Sequence, residues 1–254
     1  MTTQQRRLGK LAPRRDPRTY CLHVPLMAAM SLPPASRDWS QGVAYRMWGN
    51  DRYGDCAFAA HAALVSTWTH AAQADVVLTD AEVLANYAAV TGFDPATGAN
   101  DNGTVLLDQI NHWRRTGLER PGQTLDYLTA YGLINPSNVA AIKRAIAYLG
   151  GVMAGVQVPK GFMALGLGET WDITKLSGED LDPIGGHAIA LTGYNPSGIF
   201  FCTWGSRTFM PWDTFTRISD EAYGLISRQN FCAINGLTPD SQTVDDMISE
   251  MRAP

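Results

Sequence analysis

Two segments set 131 residues apart constrain this 254-residue chain more than any other feature. In the first, Gly54 lies two residues before Cys56, which stands at the mouth of an Ala-rich run. In the second, Gly185 and Gly186 precede His187, which opens an apolar run. A Cys at a helix start with a distant downstream His at a strand start is the usual layout of a thiolate–imidazolium nucleophile. The pattern favours a fold that brings the two side chains together.

The composition is that of a globular protein with a sizeable core. Apolar residues make up 45% of the chain and charged residues 17%, which excludes a disordered chain and a coiled coil. The length fits one large domain or two lobes that share a core. No apolar run approaches the roughly 18 residues of a membrane helix, and the N-terminus lacks the apolar stretch of a secretory signal. We therefore expect a cytoplasmic or virion-associated protein with no membrane partner.

The cysteines do not predict a metal site or a disulfide framework. Cys21, Cys56, Cys202 and Cys232 show no CxxC-type spacing. Without a secretory signal, free thiols are favoured over disulfides. The acidic loop at residues 94–103 lacks the closing Glu of a calcium loop. We predict neither a metal nor a cofactor.

The charge is concentrated at the N-terminus. Residues 1–20 hold six basic residues and one acidic residue, a net charge of +5, whereas the whole chain carries −4. Two interpretations fit such a basic arm: a solvated tail, or an anchor on an acidic protein assembly or on nucleic acid.

Helix signals dominate up to about residue 150 and strand signals dominate after it. Spacing and capping residues predict helices at residues 56–69, 79–90, 104–116 and 138–149. Apolar runs predict strands at residues 152–158, 187–194, 199–203 and 223–234. The predicted organisation is an extended basic arm (1–36), a helical lobe (37–150), a β lobe (151–236) and a tail (237–254).

The surroundings of Cys56 and His187 favour catalysis over a purely structural role. Each residue alone is typical of a protein core. A thiol becomes a useful nucleophile only as the thiolate, so its pKa must fall from about 8.5. A helix N-terminus lowers the pKa by roughly one unit, and a cationic His187 would supply the rest. Asn50 lies six residues before Cys56, where its amide is a candidate oxyanion donor.

From about residue 31 to residue 236, the chain resembles the papain-like cysteine peptidases. The resemblance is carried by residues 32–39, Asn50, Cys56, residues 79–84, Asn102-Gly103, residues 187–194 and Thr203-Trp204-Gly205. It implies an α+β, two-lobed fold with Cys56 on a helical N-terminal lobe. His187 would lie on an antiparallel, β-barrel-like C-terminal lobe, with the active-site cleft between the lobes. The resemblance also implies that Asn102, Gly103, Gly186 and Trp204 line the substrate.

The chain departs from the family pattern at several positions. The third catalytic residue of the family is an Asn, and Cys202 stands in its place, with a thiol that is a weaker hydrogen-bond acceptor. The oxyanion amide is Asn50 rather than Gln. About 30 residues precede the segment that resembles the mature start, fewer than the folded inhibitory propeptide of secreted members needs. The predicted catalytic set is Cys56, His187, Asn50 and Cys202.

Three functions fit the sequence. The leading hypothesis is a cysteine peptidase or amidase that acts on a peptide or protein substrate through Cys56 and His187. The second is a catalytically weak or inactive structural protein of the same fold, anchored by its basic arm in an assembly such as a phage particle. The third is an acyltransferase or deamidase that uses the same dyad.

Overall fold

The computed structural model describes residues 5–21 and 32–230, and the fold within them is mixed α+β. Its helices are α1 (Cys56–Ala71), α2 (Asp80–Thr91), α3 (Leu106–Arg115), α4 (Val139–Leu149) and α5 (Trp212–Ile218). Its strands are β1 (Arg37–Asp38), β2 (Leu118–Arg120), β3 (Gln123–Asp126), β4 (Ala130–Ile134), β5 (Val152–Pro159), β6 (Pro183–Asn195), β7 (Gly198–Thr203), β8 (Ser206–Pro211) and β9 (Ser219–Ile226). Cys232 and the predicted tail (237–254) lie outside the described residues.

Local signals account for the helix ends. Helix α2 begins with a capping box, in which Thr79 Oγ1 accepts a hydrogen bond from the Glu82 N–H and the Glu82 carboxylate accepts one from the Thr79 N–H. It ends at Gly92, whose φ of 74° is left-handed. Helix α4 begins after Asn138, whose side chain accepts from the Ala141 N–H at 3.1 Å. The four helices predicted from the sequence are thus present.

Most strands belong to one antiparallel sheet. Its order is β4-β9-β5-β6-β7-β8, and β1 pairs with β6 through Arg37 opposite Tyr194. Strands β2 and β3 form a separate two-stranded hairpin. Strand β4 lies within the segment predicted as the helical lobe, yet its five residues pair with β9. The lobe boundaries proposed from the sequence stay a prediction.

Helices cover both faces of the sheet. Along β5, Val152, Ala154 and Val156 join the apolar cluster that contains α4 and α5, whereas Met153 joins the cluster that contains α1. Since both faces are buried, the central strands are nearly continuously apolar.

The sheet remains open, which corrects the β-barrel-like lobe that we predicted. Among the described residues, the two end strands β4 and β8 pair with their inner neighbours and not with each other. A barrel buries its inner face by curling on itself. Here α1 on one face and α4 with α5 on the other bury the apolar side chains, so closure is not needed.

Helix α1 places Cys56 between the lobes. Thirteen of its sixteen residues are buried, because it packs against the sheet on one side and against α2 and α3 on the other. Cys56 is its first residue, and His187 lies near the N-terminal end of β6, an inner strand of the sheet. Within the described residues, no helix is long and apolar enough to cross a membrane.

Candidate active site

Cys56 is the first residue of α1 and is almost fully buried, with 1% of its surface exposed. Hydrogen bonding from the backbone of Ala188 and Gly9 lowers the pKa of its thiol. Burial outweighs this effect and raises the pKa of Cys56 to about 12. In this state Cys56 is a neutral thiol.

His187 lies on β6 and is held from two sides. Its Nε2 lies 2.7 Å from Thr203 Oγ1, and the indole of Trp204 stacks on the ring with centroids 4.5 Å apart. Burial lowers the pKa of His187 to about 3, so the imidazole is neutral. Among the described residues, His187 Nδ1 is buried without a hydrogen-bond partner. The thiol and the imidazole are therefore not joined by a hydrogen bond in this state.

The four residues predicted as catalytic line one small cavity. Cys56, His187, Asn50 and Cys202 all border a space of about 10 Å³, roughly the space that one water molecule needs. Residues far apart in the sequence thus meet at one point between α1 and the sheet.

The partner of the imidazole is Thr203 rather than Cys202, to which the sequence comparison gave that role. The Thr203 hydroxyl contacts Nε2, while Cys202 packs into the apolar cluster with Met153 and Ala190. Burial raises the pKa of Cys202, so it too is a neutral thiol. The sequence signal that could have identified Thr203 is its place directly before Trp204, at the end of β7.

Asn50 is buried and fixed beside the thiol. Its side-chain Nδ2 donates to the Tyr53 carbonyl at 3.0 Å. The side-chain amide also acts on the neighbouring Asp55 carboxyl, whose pKa it lowers. The role of Asn50 as oxyanion donor stays a prediction.

Asp55 is a buried acid directly before Cys56. A side chain placed at Gly49 would lie 3.1 Å from its Oδ2. Burial raises the pKa of Asp55 well above its usual range. Its charge, when present, raises the pKa of the neighbouring Cys56 thiol.

A stretch of the chain's own N-terminus, residues 6–11, lies in the cleft; we call it the arm segment. The Thr104 N–H donates to the Gly9 carbonyl at 2.8 Å, and the Leu11 N–H donates to the Thr104 carbonyl at 3.0 Å. On the opposite wall, the Lys10 N–H donates to the Gly186 carbonyl at 3.1 Å. The arm segment is thus an extended strand between the two walls, parallel to one and antiparallel to the other.

The two wall glycines allow this close approach. A Cβ at Gly103 would collide with the Gly9 carbonyl, and a Cβ at Gly186 would collide with the Lys10 carbonyl. Both positions were predicted to line the substrate, and here they contact an extended peptide.

The other two predicted lining residues differ in what they touch. Trp204 Nε1 donates to the Arg7 carbonyl at 3.2 Å, and the Arg6 guanidinium lies 5.0 Å from the centre of the Trp204 ring. Asn102 is next to the wall, and its backbone N–H donates to the Asn100 carbonyl.

The arm segment was not foreseen as an occupant of the cleft. We expected the basic arm to be a solvated tail or an anchor on an outside partner. An interaction with an acidic assembly or nucleic acid stays a prediction. In the part of the chain that the structure describes, no group of three or more His, Cys, Asp or Glu side chains is placed to hold a metal ion.

Comparison with known proteins finds similarity to solved structures but not to any family model or curated sequence. Among solved structures, xylellain, a cysteine protease from Xylella fastidiosa, superposes with a TM-score of 0.64 at 14% identity, over 89% of this chain and 98% of its own. Procathepsin B S9 from Trypanosoma congolense gives a TM-score of 0.57 at 12% identity, over 87% and 86% of the two chains. The Carica candamarcensis cysteine protease CMS1MS2 gives a TM-score of 0.54 at 17% identity, over 76% of this chain and 99% of its own.

These similarities are too low in sequence to transfer an activity, but they cover most of the chain and agree with each other. The helices, the open antiparallel sheet and the cleft that holds Cys56 are together the fold of the papain-like cysteine proteases.

Proposed function

We propose that this protein is a cysteine peptidase that hydrolyses peptide or amide bonds with Cys56 and His187. The observation that carries the proposal is the arm segment, which lies across Cys56 as an extended peptide with backbone hydrogen bonds to both walls. A cleft that binds a peptide backbone over a buried thiol has the geometry for attack on a peptide carbonyl.

The residues on the cavity supply the parts of an acyl-transfer reaction. Cys56 attacks the carbonyl carbon as the thiolate, and His187 takes the thiol proton and passes it to the leaving amine. The Cys56 N–H at the start of α1 and the Asn50 side-chain amide stabilise the oxyanion. Thr203 and Trp204 hold the ring in place. Water then hydrolyses the acyl-enzyme.

We further propose that the arm segment keeps the enzyme latent. It excludes water from the dyad, and burial leaves both Cys56 and His187 neutral. Release of the arm segment admits water, which lowers the pKa of the thiol and raises the pKa of the imidazole. One of the structural relatives, procathepsin B, is itself a proenzyme by its name.

A catalytically weak protein of the same fold is the second candidate. The observation that favours it is the His187 Nδ1, which is buried without a hydrogen-bond partner among the described residues. In this alternative, the thiol and the imidazole never form an ion pair, even when the cleft is open.

The test uses the full-length chain with Lys10→Glu, which places a third carboxylate beside Asp220 and Glu221 and so expels the arm segment. Arg15→Glu makes the same charge change on an exposed arm residue and serves as the control. We expect Lys10→Glu to hydrolyse fluorogenic peptides at least about tenfold faster than wild type, and Arg15→Glu to match wild type.

Adding Cys56→Ala to the Lys10→Glu chain should abolish hydrolysis. A Lys10→Glu chain whose Cys56 is rapidly alkylated but which cleaves no peptide, ester or amide would contradict the proposal and favour the weak alternative. If an added amine captures the acyl group faster than water does, the activity is acyl transfer instead.

A further inference from the structure

The Lys10 side chain enters a pocket in the floor of the cleft and is completely buried there. Its ammonium lies 2.9 Å from Asp220 Oδ2 and 3.1 Å from Glu221 Oε1, and it donates to the Leu11 carbonyl at 3.1 Å. The ammonium therefore donates hydrogen bonds to Leu11 and Asp220 and forms an ion pair with Glu221. The rest of the arm segment is held by backbone atoms and by surface contacts, so Lys10 is its deeply inserted side chain.

The pocket is shaped for a long side chain that ends in a cation. A Cβ at Gly155 would collide with Lys10 Cε, so this glycine leaves the room that the lysine stem occupies. Gln157 Nε2 donates to Asp220 Oδ2 at 2.7 Å, and the Tyr223 hydroxyl donates to Glu221 Oε2 at 2.9 Å. These neighbours fix the two carboxylates at the end of the pocket. We call Gly155, Gln157, Asp220, Glu221 and Tyr223 the acidic pocket.

The acidic pocket needs a cation to be stable. The Glu221 side chain is 2% exposed, and that of Asp220 is 22% exposed. A buried carboxylate without a partner is strongly unfavourable, whereas one with a well-placed cation is not. A neutral side chain in the place of Lys10 would leave Glu221 uncompensated.

The acidic pocket lies next to the reacting sulfur. The backbone of Gly9 acts on the Cys56 thiol and lowers its pKa, and Lys10 is the following residue. The Lys10 N–H donates to the carbonyl of Gly186, the residue before His187. A substrate that follows the same walls therefore places a side chain in this pocket within a residue or two of the bond that is cleaved.

We propose that the acidic pocket is a specificity pocket that selects a lysine or arginine side chain of the peptide substrate, and that Lys10 imitates this side chain in the latent form. The inference rests on the proposed peptidase activity for its purpose, but the selectivity of the pocket is measurable by binding alone.

The binding test uses full-length Lys10→Glu protein, whose acidic pocket is vacated. The probe is a synthetic peptide with the sequence of residues 5–12, made with Lys, norleucine or Glu at its sixth position, which corresponds to Lys10. Titration calorimetry should show the Lys peptide binding at least about tenfold more tightly than the norleucine peptide. The Glu peptide should bind more weakly still. Gly9→Ala, in which a methyl group collides with the Gly54 carbonyl, is the second background if Lys10→Glu does not fold.

Adding Glu221→Gln to the Lys10→Glu chain should bring the Lys and norleucine peptides within about threefold of each other. Asp213→Asn, which neutralises an exposed acid on α5, is the matched control and should leave the preference intact. Equal binding of the Lys and norleucine peptides, or binding of neither, overturns the proposal.

Hydrolysis separates this inference from the proposed function. With fluorogenic peptides that carry Lys, Arg, norleucine or Glu at each position before the cleaved bond, we expect one position to prefer Lys or Arg by at least about tenfold in kcat/KM. Hydrolysis without that preference overturns the pocket and leaves the peptidase. Selective binding without any hydrolysis overturns the peptidase and leaves the pocket.

Discussion

At Cys56, opposing influences act on the pKa of one thiol. Hydrogen bonding from the backbone of Ala188 and Gly9 favours the thiolate, and loss of solvent disfavours it by more. With a pKa of about 12, roughly one molecule in 10⁵ carries the thiolate at pH 7. In the proposed latent form the arm segment excludes water, so the reactivity of Cys56 reports on whether the cleft is covered.

This leads to a prediction on pH dependence. In the wild-type chain, iodoacetamide should alkylate Cys56 slowly at pH 7, and the rate should rise about tenfold per pH unit up to pH 10 because the thiolate fraction does so. In full-length Gly9→Ala, the rate at pH 7 should be at least about 10²-fold higher. The measurement is site-resolved mass spectrometry of the peptide that contains Cys56. A wild-type rate that levels off below pH 8 would contradict the covered cleft.

Thr203 gives a second prediction at the same scale. Thr203→Val keeps the shape and removes the hydroxyl that contacts His187 Nε2. In the Lys10→Glu chain, we expect Thr203→Val to lower kcat at least about tenfold with little change in KM. The imidazole ring loses its orientation, whereas the substrate-binding site is unchanged. Thr208→Val, at a buried threonine on β8, is the control. Equal activity of the two variants would show that Thr203 does not position the imidazole.

The sequence was sufficient to predict that Cys56, His187 and Asn50 lie at one site, but not to identify the roles of Thr203 and Lys10. Alignment to a family motif assigned the third residue to Cys202, and one residue along a strand changes which side chain meets the ring. Lys10 is one of six basic residues in the first twenty, and nothing local separates it from the others. Its role depends on Asp220 and Glu221, 210 and 211 residues away.

Among the elements, helix α2 shows the strongest local encoding. Its capping box was readable from residues 79–82, and the structure contains both reciprocal hydrogen bonds. Thr79→Ala should lower the free energy of unfolding by about 1 kcal/mol, because it leaves a helix N-terminal N–H without its partner. Glu82→Gln retains an acceptor for the Thr79 N–H and should cost less. Urea unfolding checks both, and equal stability of Thr79→Ala and wild type would contradict the assignment.

Strand β6 supplies one wall of the cleft, and we predict that the arm segment and a peptide substrate both bind along it. In Gly186→Ala, the methyl group collides with the Lys10 carbonyl, so the arm segment should leave and alkylation of Cys56 at pH 7 should rise at least about tenfold. Peptide hydrolysis should stay at the wild-type level, because a substrate meets the same methyl group. Hydrolysis in Gly186→Ala as fast as in Lys10→Glu would mean that substrates avoid this wall.

Elements without strong local signals were the ones missed. Strand β4, with the sequence Ala-Tyr-Gly-Leu-Ile, is short and contains a glycine, and it is stabilised by pairing with β9 rather than by its own propensity. Strand β8 and helix α5 follow each other at Pro211 within one aromatic-rich run. Only the packing of α5 on β5 and β7 shows where the strand ends and the helix begins.

At the scale of the whole molecule, the open sheet and the occupied cleft have a common origin. Helices cover both faces of the sheet, so the cleft is the part near Cys56 that they leave uncovered. The cleft walls at Thr104 and Gly186 offer backbone hydrogen-bonding groups. The arm segment uses these groups and covers the thiol. The α+β class was predictable from the order of helix and strand signals, whereas sheet closure and cleft occupancy depend on contacts between distant segments.

The most direct test of the account compares full-length wild type and Gly9→Ala in peptide hydrolysis and in alkylation of Cys56, measured side by side. Gly9→Ala alters the arm segment and none of the cleft residues, since its methyl group collides with the Gly54 carbonyl. The account predicts that both rates rise together, hydrolysis by at least about tenfold and alkylation at pH 7 by at least about 10²-fold, and that Cys56→Ala abolishes the hydrolysis. A chain in which Cys56 becomes reactive while no peptide bond is cleaved would contradict it.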